Sequence, residues 1–286
     1  MSQALGRHAA KPALEQFLTQ LLDPQRPLVD ARSVAVIVAH PDDETIGCGG
    51  QLPRWRGVSV VVVTDGSPQT VSANIIQGFG SPEKYGATRA NELLEVLSIA
   101  DVSPRNLERL LLRDQRAAFR LSELTSRLVE VFYRRGTQIA ITHAYEGGHP
   151  DHDAAAFAVH SAQKQMERRG QPLSILEMPF YRAANGSWLL QNFAQSPGHK
   201  SIVLQLTDKE QAQKRQMLAA HVSQREMLAH FSTKAEYFRV APNYDFAKPP
   251  NGGQVFYEQH DWGMKAPQWC ELARNALAEL DSGALV

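Results

Sequence analysis

Two short clusters of histidine and aspartate stand where an apolar run of this sequence ends. The first spans residues 40–44 (HPDDE), and the second spans residues 149–153 (HPDHD). A hydrolytic zinc ion is held by about three His, Asp or Glu side chains and keeps an open position for water. Together the two clusters supply enough nitrogen and oxygen ligands for one divalent metal ion, and they leave other groups free for proton transfer.

The spacing within each cluster suggests how these groups divide. His40 and Asp43 lie three residues apart in a turn that enters a helix, so both can face one ion, and His152 can complete the set from the first turn of a later helix. The remaining groups are Asp42, a carboxylate able to accept a proton, and His149, an imidazole able to stabilise a tetrahedral intermediate. Spacing alone does not decide whether Asp42 or Asp43 binds the metal.

The elements around the clusters alternate between strand and helix. Short apolar runs predict strands at 33–39, 58–64, 107–112 and 137–142, and helical periodicity predicts helices at 45–56, 85–100, 121–135 and 151–169. This alternation favours right-handed βαβ crossovers and therefore an α/β fold with a parallel sheet. Both clusters then lie at the carboxyl edge of the sheet, after the first and fourth strands, where ligands bind in such folds.

The rest of the chain carries weaker patterns. They predict an N-terminal helix within 14–22, strands at 173–178 and 201–206, helices at 207–228 and 266–280, an active-site loop at 65–84 and a further loop at 241–253. Pro53 is expected to end or kink the helix at 45–56. No domain boundary is evident, so residues 1–286 are predicted to form a single domain.

Composition excludes several classes of protein. The 286-residue chain contains 30 Lys+Arg and 30 Asp+Glu, so no basic excess points to nucleic acid or to an anionic membrane. Its two cysteines, Cys48 and Cys270, lack CxxC spacing, which excludes a disulfide scaffold and disfavours a thiolate zinc site. No signal peptide and no run of about eighteen apolar residues is visible, so a cytoplasmic protein without a membrane partner is expected.

The two clusters also carry a resemblance to a known family. Residues 39–44 (AHPDDE) and 148–153 (GHPDHD) resemble the paired motifs of the LmbE-like, or PIG-L, zinc-dependent N-deacetylases. Weaker matches are residues 64–66 (TDG), Arg89, Glu92 and residues 221–224 (HVSQ). The resemblance therefore covers residues 33–224. It implies a Rossmann-like, mostly parallel sheet with helices on both faces, followed by a C-terminal loop and helix extension at 225–286.

This resemblance implies a role for each group of the clusters. It makes His40, Asp43 and His152 the ligands of one zinc ion per chain, although such a site also accepts Fe²⁺, Co²⁺ or Mn²⁺. It makes Asp42 the general base that activates a zinc-bound water, and His149 the group that stabilises the oxyanion or protonates the leaving amine. The implied reaction removes an acyl group, usually acetyl, from an amine on a sugar-containing substrate.

The resemblance also implies contacts with the substrate. Arg89 matches a position that grips polar groups, and Asp114, which follows the third strand, is expected to bind a sugar hydroxyl. Some thiol-sugar members place a tyrosine two residues before the second-cluster histidine, where this chain has Gly147. Tyr145 lies two residues further back and is the candidate for that contact. The predicted partner is a small N-acylated sugar or glycoconjugate.

Three other functions stay open at this point. The same architecture suits an amidase that cleaves a non-acetyl amide conjugate. Asp/His clusters at strand ends also serve metal-dependent phosphoesterases, although the chain shows no Gly-rich phosphate cradle. A non-catalytic sugar-binding module would keep the fold but lose the base or a ligand.

Ordinary structural roles compete with chemical ones at several residues. Asp151 is expected to cap the helix that it opens. His221 is equally compatible with the wall of the site and with packing. Five aromatic residues can stack on a sugar, but packing is the expected role for most of them, namely Trp188, Trp262, Trp269, Tyr181 and Tyr257.

Overall fold

A seven-stranded sheet forms the centre of the molecule, with helices on both faces. The computed structural model describes residues 10–68 and 78–282, so part of the predicted loop at 65–84 lies outside the described residues. The strands are β1 Val29–Asp30, β2 Val34–Val38, β3 Trp55–Arg56, β4 Ser59–Pro68, β5 Leu107–Asp114, β6 Ile139–His143, β7 Ser174–Met178, β8 Tyr181–Ala184, β9 Ser187–Leu190, β10 Ile202–Gln205 and β11 Ala235–Val240. The helices are α1 Ala10–Leu22, α2 Asp43–Cys48, α3 Pro82–Ile99, α4 Leu121–Arg135, α5 Pro150–Arg168, α6 Asp208–Ala220, α7 Arg225–Leu228 and α8 Ala266–Ser282.

The order of the strands confirms the predicted α/β fold. Across the sheet they run β10-β11-β7-β6-β2-β4-β5, and the five strands from β7 to β5 are parallel. Strand β11 is antiparallel to β7, and β10 is antiparallel to β11. The chain builds outward from β2 to β4 and β5, then returns to β6 and β7 on the other side. The order therefore reverses between β2 and β6, which is the usual place for a ligand crevice.

Helices cover both faces because the central strand is apolar on both. Along β2, Ala35 and Ile37 join a hydrophobic cluster with residues of α4, α5 and α8, whereas Val34, Val36 and Val38 join a second cluster with residues of α1 and α3. Side chains alternate from face to face along a strand, so a strand buried on both sides is apolar at every position. This is the pattern from which the strand was predicted.

The helix predicted at 45–56 is shorter than expected. It ends at Cys48 as α2, and a 3₁₀ turn at 52–54 and strand β3 follow. Gly49 and Gly50 are poor helix formers, and Pro53 has no N–H with which to continue the helical hydrogen bonds. The helix therefore ends at Cys48, before Pro53, where the sequence predicted its end or a kink.

The helix predicted at 207–228 is divided in two at His221. Helix α6 begins with a capping box formed by Thr207 and Glu210. After His221, Ser223 donates its N–H and its hydroxyl to the Glu92 carboxylate of α3, at 2.8 and 2.6 Å. These bonds tie the chain to α3 instead of continuing the helix.

The C-terminal part of the chain contributes more than the predicted loop and helix. Strand β11 joins the central sheet, and α8 buries Trp269 completely, with its indole N–H donating to the Pro150 carbonyl at 3.3 Å. Residues 225–282 therefore help to build both the sheet and the support of the second cluster. Within the described ranges, no helix combines the length and apolar character that crossing a membrane requires.

Candidate metal centre

The two clusters meet at the carboxyl edge of the sheet, as predicted. Residues 40–44 follow β2 and residues 149–153 follow β6, and these two strands are paired neighbours. The reversal of strand order leaves a crevice between them. Each cluster then opens a helix, α2 at Asp43 and α5 at Pro150. The topology thus brings together side chains from distant parts of the sequence.

His40, Asp43 and His152 converge there as a buried trio. Their ligand atoms lie within 4.8 Å of one another. Asp43 Oδ2 is 3.3 Å from His40 Nδ1, and Asp43 Oδ1 is 3.4 Å from His152 Nε2. Two ligands held at about 2.1 Å from a tetrahedral ion lie about 3.4 Å apart. The observed separations therefore suit atoms that share one ion.

The charge and donor types of the trio also fit a divalent cation. Burial alone would raise the pKa of Asp43, but the neighbouring imidazoles of His152 and His143 hold it well below its usual range. An ionised carboxylate in the protein interior needs a cation or strong hydrogen bonds beside it. Two imidazoles and one carboxylate form a donor set suited to zinc, and also to Fe²⁺, Co²⁺ or Mn²⁺.

Asp114 contacts the ring nitrogen of His40 that does not face Asp43. Its Oδ1 is 3.2 Å from His40 Nε2, and both side chains are buried. Burial would raise the pKa of Asp114, but His40 holds it well below its ordinary value. Metal-binding imidazoles commonly donate their second N–H to a carboxylate, which fixes the tautomer and the ring orientation. Asp114 also lines the cavity described below, where its contact with a sugar hydroxyl stays a prediction.

Asp42 lies beside the trio. Among the described residues, ligand atoms gather in two groups, the trio and a group formed by His40, Asp114, His149 and Asp151, and Asp42 belongs to neither. Its Oδ2 accepts a hydrogen bond from Arg89 Nη2 at 2.9 Å, and its backbone N–H donates to Glu44 Oε2 at 3.1 Å. Burial raises the pKa of Asp42 to about 6, against the lowering effect of Arg89. The geometry thus separates two carboxylates that the sequence left interchangeable: Asp43 faces the imidazoles, and Asp42 faces Arg89. The role of Asp42 as a general base stays a prediction.

Arg89 reaches the cavity from α3 and links the turn that contains Asp42 to the turn that contains Gly66. Besides its bond to Asp42, it donates through Nη1 to the Gly66 carbonyl at 2.9 Å. Gly66 has a φ of 66°, and a Cβ there would lie 2.7 Å from Nη1, so only glycine allows this close approach. Arg89 lines the cavity, and its contact with substrate stays a prediction.

His149 caps helix α5, the role that the sequence assigned to Asp151. Its Nδ1 accepts the backbone N–H of Asp151 at 3.1 Å, so the neutral ring carries its proton on Nε2. Burial lowers the pKa of His149 well below its ordinary value. A neutral imidazole with a free N–H is a donor suited to an oxyanion. Asp151 instead accepts two backbone N–H groups of the loop after β5, at 2.6 and 3.0 Å.

A cavity of about 220 Å³ connects these groups. Seven of the eight predicted site residues line it, namely His40, Asp42, Asp43, Arg89, Asp114, His149 and His152. Its wall also includes Tyr181 and Trp262, which the sequence named only as possible stacking residues. Pockets that enclose a drug-sized ligand measure roughly 300 to 1,000 Å³. A glycoconjugate bound here must therefore extend beyond the cavity.

Tyr145 does not line this cavity, contrary to the sequence prediction. Its hydroxyl donates to the Lys248 carbonyl at 2.9 Å, and its ring packs against Phe246 and Trp269 with centroids 4.7 and 5.2 Å apart. Burial raises the pKa of Tyr145 further above its ordinary value. Its side chain is part of the buried hydrophobic core, so the structure gives it a packing role.

Two residues beside the ligands were not among the predicted site residues. His143 stacks on His152 with centroids 4.1 Å apart, and its Nε2 accepts the Ala39 N–H at 2.9 Å. Tyr181 lies 5.3 Å from the His152 ring, and its carbonyl would be 2.1 Å from a Cβ at Gly148. His143 ends β6 and Tyr181 follows β7, so their positions at the carboxyl ends of parallel strands were the signal that could have identified them.

His221 supports the first cluster without lining the cavity. It is fully buried, and its Nε2 lies 3.4 Å from Glu44 Oε1. Glu44 in turn accepts the backbone N–H of Asp42. Of the two roles that the sequence left open, the structure favours packing, with an indirect hold on the proposed base.

Similarity to known proteins agrees with this site. Residues 35–163, which include both clusters, match the family model described as PIG-L: GlcNAc-PI de-N-acetylase. The 1D-myo-inositol 2-acetamido-2-deoxy-alpha-D-glucopyranoside deacetylase of Corynebacterium diphtheriae is 30% identical over 163 residues, which make up 50% of this chain and 55% of the relative. The chain thus spans about half the length of the curated relatives it matches.

Solved structures share the fold. The N,N'-diacetylchitobiose deacetylase of Pyrococcus horikoshii has a TM-score of 0.55 at 20% identity, and the match covers 81% of this chain and 92% of that one. The deacetylase of the A40926 pseudoaglycone has a TM-score of 0.55 at 18% identity, and the match covers 76% and 99%. At this level of identity the likeness establishes the architecture alone.

Proposed function

We propose that this protein is a metal-dependent hydrolase that removes an N-acetyl group from an amino-sugar-containing substrate, because residues 35–163 match the family model described as PIG-L: GlcNAc-PI de-N-acetylase. The observation that carries the proposal is the convergence of His40, Asp43 and His152 on one point, with the Asp42 carboxylate beside them. The trio suits a metal ion, and Asp42 suits a general base.

The first part of the reaction requires a nucleophile and a place for its proton. His40, Asp43 and His152 would hold one divalent ion, with zinc as the first candidate. Such an ion polarises a carbonyl and brings the pKa of water toward neutrality. Asp42 accepts the proton of the water that attacks the amide carbon, since a pKa of about 6 leaves its carboxylate ionised at neutral pH. The same proton is then available for the amine that leaves with the C–N bond.

The second part concerns the negative charge that forms on the amide oxygen. His149 is neutral and carries its proton on Nε2, because its Nδ1 accepts the Asp151 N–H. A donor fixed in this way needs no reorganisation when the oxyanion forms, and one such donor stabilises the transition state by about 3 kcal/mol. Collapse of the intermediate gives acetate and the free amine.

The substrate class is inferred from the relatives and from the cavity wall. The family description and the name of the curated relative both specify an N-acetylglucosamine conjugate. Arg89 and Asp114 present charged groups on the wall, and such groups hydrogen-bond sugar hydroxyls. An acetamido group that reaches the metal trio would leave its sugar ring against them.

Release of free amine from a panel of N-acetylated sugars and nucleotide sugars, measured with and without a chelator, tests this function. We expect free amine and acetate in equal amounts from at least one amino sugar, loss of activity with the chelator, and recovery on adding zinc. Hydrolysis of a phosphate ester in place of the amides, or an amidase rate that metal removal leaves unchanged, would contradict the proposal.

A further inference from the structure

We propose that a row of aromatic side chains at the mouth of the cavity forms a subsite for a second sugar ring of the substrate. The row consists of Tyr181, Trp188, Phe256 and Trp262, all outside the range that matches the family model. The inference rests on the proposed function, because the first ring must carry the acetamido group into the cavity. It adds that the natural substrate is larger than a monosaccharide.

Trp262 forms the end of the row nearest to His149, the proposed oxyanion donor. It lines the cavity, and its ring lies 4.7 Å from that of His149. On the outer side, the exposed His260 stacks on it with centroids 4.4 Å apart and planes inclined by 13°. The indole of Trp262 therefore contacts His149 on the cavity side and the exposed His260 on the outer side.

Tyr181 begins a second branch of the row, next to a proposed metal ligand. Its ring lies 5.3 Å from His152, 5.8 Å from Trp188 and 5.7 Å from Phe256. Trp188 and Phe256 are nearly parallel, with 9° between their planes and 5.6 Å between their centroids. Phe256 also contacts Trp262 at 6.4 Å, so the two branches join into one continuous surface.

Exposure distinguishes this row from the aromatic core. Trp188, Phe256 and Trp262 are only half-buried, whereas Trp269 and Tyr257 are fully buried. One side of each of these three rings packs against the hydrophobic core, and the rest of the ring stays accessible. The row therefore presents partly accessible aromatic surface next to the cavity.

The surroundings of the row favour a sugar over an alkyl chain. Exposed polar side chains border the rings, since His230 lies 5.4 Å from Trp188 and Asp261 follows His260. A pyranose ring has an apolar face of C–H groups and a rim of hydroxyls, which suits an aromatic face with polar neighbours. An alkyl chain would require an enclosed apolar groove.

The size of the cavity supplies an independent reason for a binding surface outside it. At about 220 Å³ it is smaller than pockets that enclose a whole ligand, so whatever is linked to the acetamido sugar lies at its mouth. Tyr181 and Trp262 belong both to the cavity wall and to the row. The second ring would thus pass directly onto the aromatic surface.

Kinetics with N-acetylglucosamine and with its β-linked disaccharide test the subsite. We expect Trp188→Ala to lower the ratio of kcat/KM for disaccharide over monosaccharide about 10-fold, the effect of losing one stacking contact. Trp188→Phe keeps an aromatic face and should restore most of the ratio. Leu189→Ala changes the exposed neighbour on the same strand and should leave both rates unchanged. An unaltered ratio in folded Trp188→Ala would overturn the proposal.

Binding provides a readout that does not need turnover. Calorimetric titration of the disaccharide into Asp42→Asn should give a lower Kd than the monosaccharide gives, and adding Trp188→Ala should remove the difference. An alkyl glycoside that binds more tightly than the disaccharide, and loses that advantage with Trp188→Ala, would overturn the assignment to a sugar ring. If wild-type protein hydrolyses neither sugar, the proposed deacetylase function fails, and the titration still decides whether the aromatic row binds the second ring.

Discussion

Arg89 Nη2 lies 2.9 Å from Asp42 Oδ2, and both side chains are almost completely buried at the wall of the cavity. Burial raises the pKa of Asp42, whereas the guanidinium lowers it, and the result is a pKa of about 6. This ion pair therefore determines the pH range in which the proposed base is ready to accept a proton. It also fixes the direction of the carboxylate, since the Arg89 guanidinium is itself tied to the Gly66 carbonyl.

Replacing the base should separate catalysis from metal binding. We expect Asp42→Asn to lower kcat/KM roughly 10²–10⁴-fold, because an amide cannot accept the proton of the attacking water. The metal content, measured by elemental analysis, should equal that of the wild type, since Asp42 lies outside the ligand trio. The matched change one residue later, Asp43→Asn, should lose the metal. Near-normal turnover in Asp42→Asn would show that another group is the base.

The activity should depend on pH through the same carboxyl group. Asp42 acts only when ionised, so kcat/KM should be full above a pH of about 6 and fall as the pH drops through that value. Arg89→Gln removes the charge that lowers this pKa, so the acidic limb of the profile should move to higher pH. Arg134→Gln, an exposed arginine paired with Glu108, is the control. An acidic limb that stays in place in Arg89→Gln would contradict this account of the pair.

The parts of the site that the sequence predicted are those determined by local pattern. Apolar runs defined the strands, and the rule that parallel strands end at one edge placed both clusters together. The approach of His40, His152 and an aspartate of the first cluster followed from their positions in those turns. The separation of Asp42 from Asp43 did not, because it depends on the direction of two adjacent side chains, which is settled by contacts with Arg89 and with the imidazoles.

The parts that the sequence missed depend on contacts between distant segments. Tyr145 is turned into the core by Trp269 of a helix near the end of the chain. Strand β11 was not predicted because Glu236 and Arg239 give its sequence the polar pattern of an exposed segment. In the structure both side chains are buried in ion pairs. Neither contact leaves a periodic signal in the residues concerned.

Replacing Asp114 distinguishes two roles for its carboxylate, the predicted contact with a sugar hydroxyl and the observed contact with His40. We expect Asp114→Asn to weaken metal affinity about 10- to 100-fold, because the carboxylate that orients His40 through Nε2 is lost. Competition of the protein with a chromophoric chelator measures this affinity in the absence of substrate. A variant with normal metal affinity and a raised KM would instead support the sugar contact alone.

A buried ion pair behind the site should contribute to stability. Lys214 Nζ lies 2.7 Å from Glu236 Oε1 and donates to the Ile46 carbonyl of α2 at 2.8 Å, and both charged side chains are fully enclosed. Lys214→Met would leave Glu236 buried without its cation. We expect the free energy of unfolding, measured by denaturant titration, to fall by about 3–5 kcal/mol.

The double change Lys214→Met with Glu236→Gln should recover most of that loss, because no uncompensated charge is then buried and a side-chain oxygen can still accept the Gly50 N–H. Arg56→Met, which breaks an exposed pair with Asp101, is the matched control and should cost less than about 1 kcal/mol. Because Lys214 also holds helix α2, which begins at Asp43, the single variant should bind metal more weakly than the double control Arg56→Met with Asp101→Asn. Equal losses of stability in Lys214→Met and Arg56→Met would show that the buried pair does not stabilise the fold in this way.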